Sequence, residues 1–285
     1  RHPAKADQIS HFLQKNQQLT SVGCFFVQRS GGAKIHYHKG GSGRPLVLLH
    51  GIHGDLGWCQ HHKLLAENFT VYAPTLPGFG ESERPAWLET VSDLARFTLW
   101  LIDELNISNV SLAGHSIGGW VAAEMATMSP SSFEALILVD AAGIQPEIGE
   151  ITDIFLHGHD STRSLSFFKP EQTPEFDQLF KAKPSRKTRN RQTQNQEAAA
   201  RYFWKPYMFD PSLRWVLERV PTPTLVIWGQ EDQIVPVECG ILYRNALPRA
   251  RAVIIPECGH YPHIEKPDEF SRIVQEFLDK LDGHN

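Results

Sequence analysis

In the stretch LAGHSIGGW, residues 112–120, one serine stands between glycines, after an apolar run and before a helix-forming one. A serine hydroxyl is a poor nucleophile near neutral pH and needs a neighbouring base, which a third group must orient. The G-x-S-x-G spacing of Gly114-His115-Ser116-Ile117-Gly118 suits a tight strand-to-helix turn, which exposes the central hydroxyl and leaves no room for side chains at the flanking positions. The helix that follows aims its N-terminal N–H groups at the same point, where negative charge would develop. Later segments offer the other two groups in the order acid then base: Asp232 lies just past the apolar run TLVIWG, and His260 just past RAVIIP. His50-Gly51-Ile52-His53-Gly54 follows PLVLL, so the backbone N–H groups of Ile52 and Ile117 are placed to form an oxyanion hole.

These groups converge only if the strands before them share one sheet edge. Residues 23–28, 33–38 and 45–49 read as strands, the first two as an antiparallel hairpin turning at Gly31-Gly32. Strand and helix then alternate: a strand at 69–73, a helix from Thr90 to Leu105, a strand at 109–114, a helix to Met128 and a strand at 134–140. The pattern returns with strands at 224–229 and 251–256 and a final amphipathic helix from Pro267 to Leu281. Buried strands alternating with helices imply an α/β fold with a mostly parallel, doubly wound sheet.

The order lapses between Ile144 and Ser212. This segment is polar, carries a basic run (Lys181, Lys183, Arg186, Lys187, Arg189, Arg191) and ends in the aromatics Tyr202, Phe203, Trp204, Tyr207 and Phe209. A loop of that length is improbable in a compact domain, so the expected organisation is a core of residues 1–143 and 213–285 with a helical lid, 144–212, over the sheet's carboxyl edge. The basic run reads as a solvated face of the lid, with an anionic lipid surface as the alternative. The aromatics line a substrate pocket or form the lid's own core.

HGIHG (50–54), LPGFGES (76–82), GHSIGG (114–119), WGQEDQIVP (228–236) and GHYPHIEKP (259–267) follow successive predicted strands, and in this order the chain resembles the α/β-hydrolase family over nearly its whole length outside the lid. The resemblance implies Ser116 as nucleophile, His260 as general base and then acid, and Asp232 as the group orienting His260, with reaction through an acyl-enzyme. Asp140 and Glu231 are the rival carboxylates and His263 the rival imidazole. His53, Tyr202, Trp204 and Tyr261 are the candidate pocket residues, while His50 and His115 are expected to hold the oxyanion loops. Where the family usually has aspartate two residues before Pro-Gly, this chain has Thr75.

Within that family, aspartate at the elbow marks haloalkane dehalogenase-like and epoxide hydrolase-like members, which Ser116 disfavours. Relatives that hydrolyse carbon–carbon bonds of dienoic diketo acids commonly have asparagine where this chain has His115, and tryptophan where it has Tyr261. G-H-S-x-G-G, as in residues 114–119, is frequent among esterases and lipases, so the resemblance makes a carboxylic-ester hydrolase for modest apolar acyl substrates the leading expectation, carbon–carbon hydrolysis the second, and a non-catalytic small-ligand receptor the reading from another class.

A chain of 285 residues with formal net charge −4 is not that of a general nucleic-acid binder, which would be basic. It has no apolar stretch of the ~18 residues that a membrane helix needs. It begins at Arg1 rather than at a methionine, so any upstream leader or anchor is expected to have been trimmed or to lie outside this sequence; a cytoplasmic location is the default, and oligomeric state is open. Cys24, Cys59, Cys239 and Cys258 show no CxxC spacing and are expected to be free buried thiols. His61-His62 and His157-Gly158-His159-Asp160 have no companion cluster at ligand spacing and read as solvated loop histidines, so no metal and no cofactor is expected.

Overall fold

The computed structural model describes residues 23–28, 33–181 and 185–282. Eight strands among them form one sheet: β1 (Gly23–Gln28), β2 (Lys34–Gly40), β3 (Arg44–Leu49), β4 (Phe69–Pro74), β5 (Val110–His115), β6 (Phe133–Val139), β7 (Thr224–Gly229) and β8 (Ala250–Ile255). Their spatial order is β1-β2-β4-β3-β5-β6-β7-β8. β2 is antiparallel to both β1 and β4, and every pair from β4 to β8 is parallel. This is the α/β-hydrolase architecture. The expected turn at Gly31-Gly32 lies outside the described residues.

Period-2 patterning accounts for the central strands. On β5, β6 and β7, Leu112, Leu136, Leu138, Val226 and Trp228 face one core, while Ala113, Ala135, Ile137, Leu225 and Ile227 face the other. The first core is closed by helices α2 (Val91–Glu104) and α3 (Ile117–Met128), the second by α1 (Gln60–Leu65) and the C-terminal helix α9 (Pro267–Asp282). With both faces covered, the strands are apolar throughout and the loops at their carboxyl ends become the available edge. Thr90 caps α2 by accepting from Asp93 N–H, as a capping-box residue does.

Between β6 and β7 the chain forms α4 (His159–Ser166), a single π-helical turn at Asp177–Lys181, α5 (Arg186–Phe203) and the short α6 (Leu213–Leu217). Its neck is pinched: Gly143 N–H donates to Met208 O at 2.8 Å, and Asp210 N–H donates to Gly143 O at 2.9 Å. α5 buries Asn195, Ala198, Ala199, Tyr202 and Phe203, one helical stripe at i, i+3, i+4 spacing, against the body of the protein. Helices α7 (Val237–Ala246) and α8 (Pro262–Glu265) complete the chain.

Two expectations need correction. All four cysteines are free, but Cys24 is exposed because it lies on edge strand β1. His61 and His62 are not solvated loop residues; they are buried in α1, beneath the C-terminal helix.

Gly118 sits where α3 passes the end of β3, and a Cβ there would lie 2.5 Å from His50 O and 2.6 Å from Leu49 O. Both obstacles are backbone, so Gly118→Ala should destabilise the protein by about 1–3 kcal/mol. A urea titration reads this as a lower midpoint; an unchanged midpoint would mean that these segments have room to separate.

Candidate active site

Ser116 joins β5 to α3 at φ +54° and ψ −120°, a conformation that costs a non-glycine residue strain and persists only where the surroundings impose it. Here they do. A Cβ on Gly114 would lie 2.2 Å from Gly118 O, so the strand end and the first helical turn are in backbone contact. Gly51 brings the β3 loop alongside, since its added Cβ would be 3.3 Å from Ser116 Cβ. Ile52 follows directly. Ile117 is the first residue of α3, and its N–H therefore has no acceptor within the helix.

The hydroxyl is not alone. His260 Nε2 is 2.9 Å from Ser116 Oγ, and His260 Nδ1 is 2.7 Å from Asp232 Oδ2. Because a carboxylate only accepts, Nδ1 carries the proton and Nε2 is free to accept from the serine. Asp232 is held by its own loop after β7, with Oδ1 accepting from Ile234 N–H at 2.8 Å and Val235 N–H at 3.1 Å. Ser116 and His260 are 1 % and 2 % exposed, so this chain of hydrogen bonds runs through nearly dry protein.

Glu231 and His263 are committed elsewhere. Glu231 accepts from Cys258 N–H at 2.9 Å, bracing the acid loop against the histidine loop. His263 packs edge-on to His61, 4.8 Å between ring centroids. Asp140, at the end of β6, accepts from Gly229 N–H at 2.9 Å.

Several residues without an assigned role in the sequence fix the loops. Glu265, five residues after His260, is 7 % exposed and accepts from Gly259 N–H and Phe168 N–H, each at 2.9 Å. Burial raises its carboxyl above the ordinary value, with those backbone donors opposing the shift only in part. His260 N–H donates to Ser166 O at 2.8 Å, tying the end of α4 to the same loop. Asn195 on α5 donates from Nδ2 to His53 O at 2.7 Å and accepts from Gly80 N–H at 2.9 Å, so one amide spans the β3 and β4 loops. Glu265 falls inside a motif legible in the sequence; Asn195 lies in a polar helix and carries no local signal.

His50 and His115 lie within these loops. His50 Nε2 accepts from Leu76 N–H at 2.9 Å, so its Nδ1–H donates to Gly51 O at 2.7 Å. His115 Nε2–H donates to His260 O at 2.6 Å. Thr75, where the family usually has aspartate, has a carboxylate beside it after all: Asp55 Oδ2 accepts from Thr75 Oγ1 at 3.5 Å and lies 2.9 Å from His38 Nε2. Burial would raise Asp55, but the hydrogen bond and charge of His38, with Gly57 N–H, hold it well below the usual carboxylate range.

The four candidate pocket residues divide. His53 and Tyr261 stack at 5.8 Å between centroids and both line a cavity of about 70 Å³ behind the β3 loop; His53 also borders a larger one of about 580 Å³. Tyr202 and Trp204 line neither. Tyr202 is buried beside Phe203, which packs on Trp120, and Trp204, half exposed past the end of α5, packs on Phe155 and Tyr207. The turn of α5 sends Tyr202 and Phe203 against the body of the protein and leaves Trp204 in the inserted segment's own packing.

The smaller cavity is walled by His50, His53, His61, His62, His115 and His263, among other residues. The His61-His62 pair does have a companion at ligand spacing, Cys59, and Cys24, His36 and His38 form a second such group. In both, ring nitrogens are already engaged: His62 Nδ1 accepts from Cys59 N–H at 3.1 Å, and His38 Nδ1 is 3.3 Å from Cys24 Sγ. Burial depresses His62 and His263 to about 3 each, with neighbouring imidazoles adding to the shift.

The fold and the hydrogen-bonded serine together define a class, and the sequence comparison agrees: residues 46–273 match the model of an alpha/beta hydrolase family. The chain belongs to the α/β-hydrolase family. It is 32 % identical over 264 residues to the dihydrolipoyllysine-residue acetyltransferase component of the acetoin cleaving system of Pseudomonas putida, covering 88 % of this chain and 68 % of that protein. It is 29 % identical to a 2-hydroxymuconate semialdehyde hydrolase of Pseudomonas sp. (strain CF600), covering 89 % and 93 %. Among solved structures, a bacterial membrane phospholipase A superposes with TM-score 0.70 at 27 % identity, over 97 % of this chain and 92 % of that one. None of the helices among the described residues is long and apolar enough to cross a membrane.

The buried imidazoles give a pH dependence of defined sign. Below the ordinary value of 6.5 the unfolded chain takes up protons that native His62 and His263 refuse until about 3. Their stabilising contribution is complete above 6.5 and is lost as pH falls from there towards 3. Urea unfolding should lose up to about 1.4 kcal/mol per pH unit for each group, and His263→Gln should remove one group's share of the slope. An identical slope in the variant would show that His263 is protonated in the native state.

Proposed function

We propose that the protein is a serine hydrolase that cleaves carboxylic esters of small to medium apolar acyl groups through an acyl-enzyme on Ser116. The observation that carries this reading is the buried chain Ser116 Oγ, His260 Nε2, His260 Nδ1, Asp232 Oδ2, at 2.9 and 2.7 Å. His260 takes the serine proton as Oγ attacks the ester carbonyl, and returns it to the departing alkoxide. Water then attacks the acyl carbon while His260 takes its proton, and His260 passes that proton to the departing Ser116 Oγ as the acid leaves. Asp232 keeps the imidazole in the required tautomer and stabilises it when charged. The N–H groups of Ile52 and Ile117 receive the tetrahedral oxyanion, each such donor being worth about 10²–10³ in rate.

His53 and Tyr261 are assigned to the pocket wall on the strength of the cavities they border. Residues 144–212 act as a lid: α4 bonds to the His260 loop and α5 to the His53 loop, so with Ser116 at 1 % exposure the substrate enters when this segment shifts. The partner is a small-molecule ester. No metal or cofactor is required by these steps.

A second reading, hydrolysis of a carbon–carbon bond in a dienoic diketo acid, is favoured by the 2-hydroxymuconate semialdehyde hydrolase and by a 27 % identical 2-hydroxy-6-oxo-6-(2'-aminophenyl)hexa-2,4-dienoic acid hydrolase of Metapseudomonas resinovorans. The ester reading is ranked first because His115 and Tyr261 replace the asparagine and tryptophan common in that group, and because of the likeness to a phospholipase.

The test is turnover of p-nitrophenyl butyrate and of a ring-fission dienoate by wild type and by Ser116→Ala. Ester turnover should dominate, and the variant should lose at least about 10³-fold in kcat while keeping its fold. Equal ester rates in the two proteins would remove the proposal. A dienoate rate far above the ester rate would install the second reading, and thermal stabilisation by these compounds without turnover would indicate a receptor.

A further inference from the structure

Asp140 directly follows β6, has φ +43° and is 0 % exposed. Its Oδ1 accepts from Gly229 N–H at 2.9 Å, whereas its buried Oδ2 is faced by no donor among the described residues. What its carboxyl does lie beside is the carboxyl of Asp232, whose side chain is also 0 % exposed. One carboxylate oxygen from each aspartate and a ring nitrogen of His260 lie within 4.8 Å of one another.

Carboxylates only accept, so two of them this close in buried surroundings have nothing to hold them together unless one carries a proton. In dry protein their repulsion, if both were ionised, would be severe. The donor inventory decides who keeps the proton. Asp232 receives three donors, from His260 Nδ1, Ile234 N and Val235 N, and Asp140 receives one.

We infer that Asp140 is held as the neutral acid and donates a hydrogen bond to the Asp232 carboxylate, which makes it a positioning residue behind Asp232 and the spare carboxylate if Asp232 is lost. The second half rests on the proposed triad; the placement of the proton does not. Burial, then the charge of Asp232, drives the Asp140 carboxyl well above its ordinary range, against the single pull of Gly229 N–H. The other titratable groups facing this pair are His260, Glu265 and the Cys258 thiol, which burial and the nearby carboxylates keep protonated. Neutral Asp140 screens nothing, but its donated hydrogen bond fixes how Asp232 meets the imidazole.

Two measurements test this separately. The first is infrared difference spectroscopy at pH 7 on protein with carbon-13 aspartate, wild type minus Asp140→Asn. It should contain the isotope-shifted carbonyl band of a protonated carboxylic acid; its absence, with the variant folded, would show Asp140 ionised and overturn the inference whatever the enzyme does.

The second is kinetic. Asp140→Ala should lower kcat about tenfold, and Asp140→Asn, which can still accept from Gly229 and donate to Asp232, should recover most of that loss. Asp232→Asn should lose about 10²–10³-fold and regain activity as pH rises and Asp140 ionises, while the double variant Asp232→Asn/Asp140→Asn should lose about 10⁴-fold with no such rise. Equal losses and superimposable pH profiles for the single and double variants would eliminate the spare-carboxylate role. If Ser116→Ala retained full activity, the triad would fail and only the infrared result would bear on Asp140.

Discussion

The turn at Ser116 exists because backbone segments meet there with no Cβ between them. Gly114 lies against Gly118, Gly118 against the end of β3, and Gly229 against the loop of Gly259, where an added Cβ would come within 1.9 Å of a carbonyl oxygen. Each contact sets the distance between two strand-end loops. The strained φ of Ser116 follows from that crowding, and so does the spacing that lets one imidazole reach both a hydroxyl and a carboxylate. Loosening any of these contacts by an ångström would lengthen hydrogen bonds that the proposed chemistry needs short.

Dryness is the second consequence. With Ser116 and His260 almost fully buried, each proton near them is held by a particular protein atom. Imidazoles respond by staying neutral, and His50, His115 and His62 are used as neutral donors or acceptors in loop bonds. Carboxyls respond by collecting N–H donors, as Glu265 does, or by sharing a proton, as inferred for Asp140. The same groups that position the loops therefore tie stability and the arrangement of the site to pH.

The sheet and the elements that carry Ser116, Asp232 and His260 were legible in the sequence because they rest on local signals: period-2 apolar strands, glycines at the turn and short motifs at strand ends. Helix and strand limits fell within a residue or two, as for the helix expected from Thr90 to Leu105 and found at Val91–Glu104. What escaped depends on tertiary contact. Nothing adjacent in sequence marks Asn195 as the bridge between two loops, or Asp55 as the carboxylate beside Thr75. Burial of His61 and His62 was hidden for the same reason, since it is α9, more than two hundred residues later, that covers them. His53 and Tyr261 border cavities and Tyr202 and Trp204 do not, because the facing of the latter two depends on how α5 is rotated, which composition does not encode.

The proposed chemistry passes through a covalent bond between Ser116 Oγ and the acyl group. Intact-protein and peptide mass spectrometry after rapid acid quench, with a slowly hydrolysed p-nitrophenyl ester, reads that bond directly. The account predicts one added acyl mass on the peptide containing Ser116, absent from Ser116→Ala and strongly reduced in His260→Ala. Steady p-nitrophenol release with no acyl mass on that peptide, or an adduct at some other residue, would contradict it.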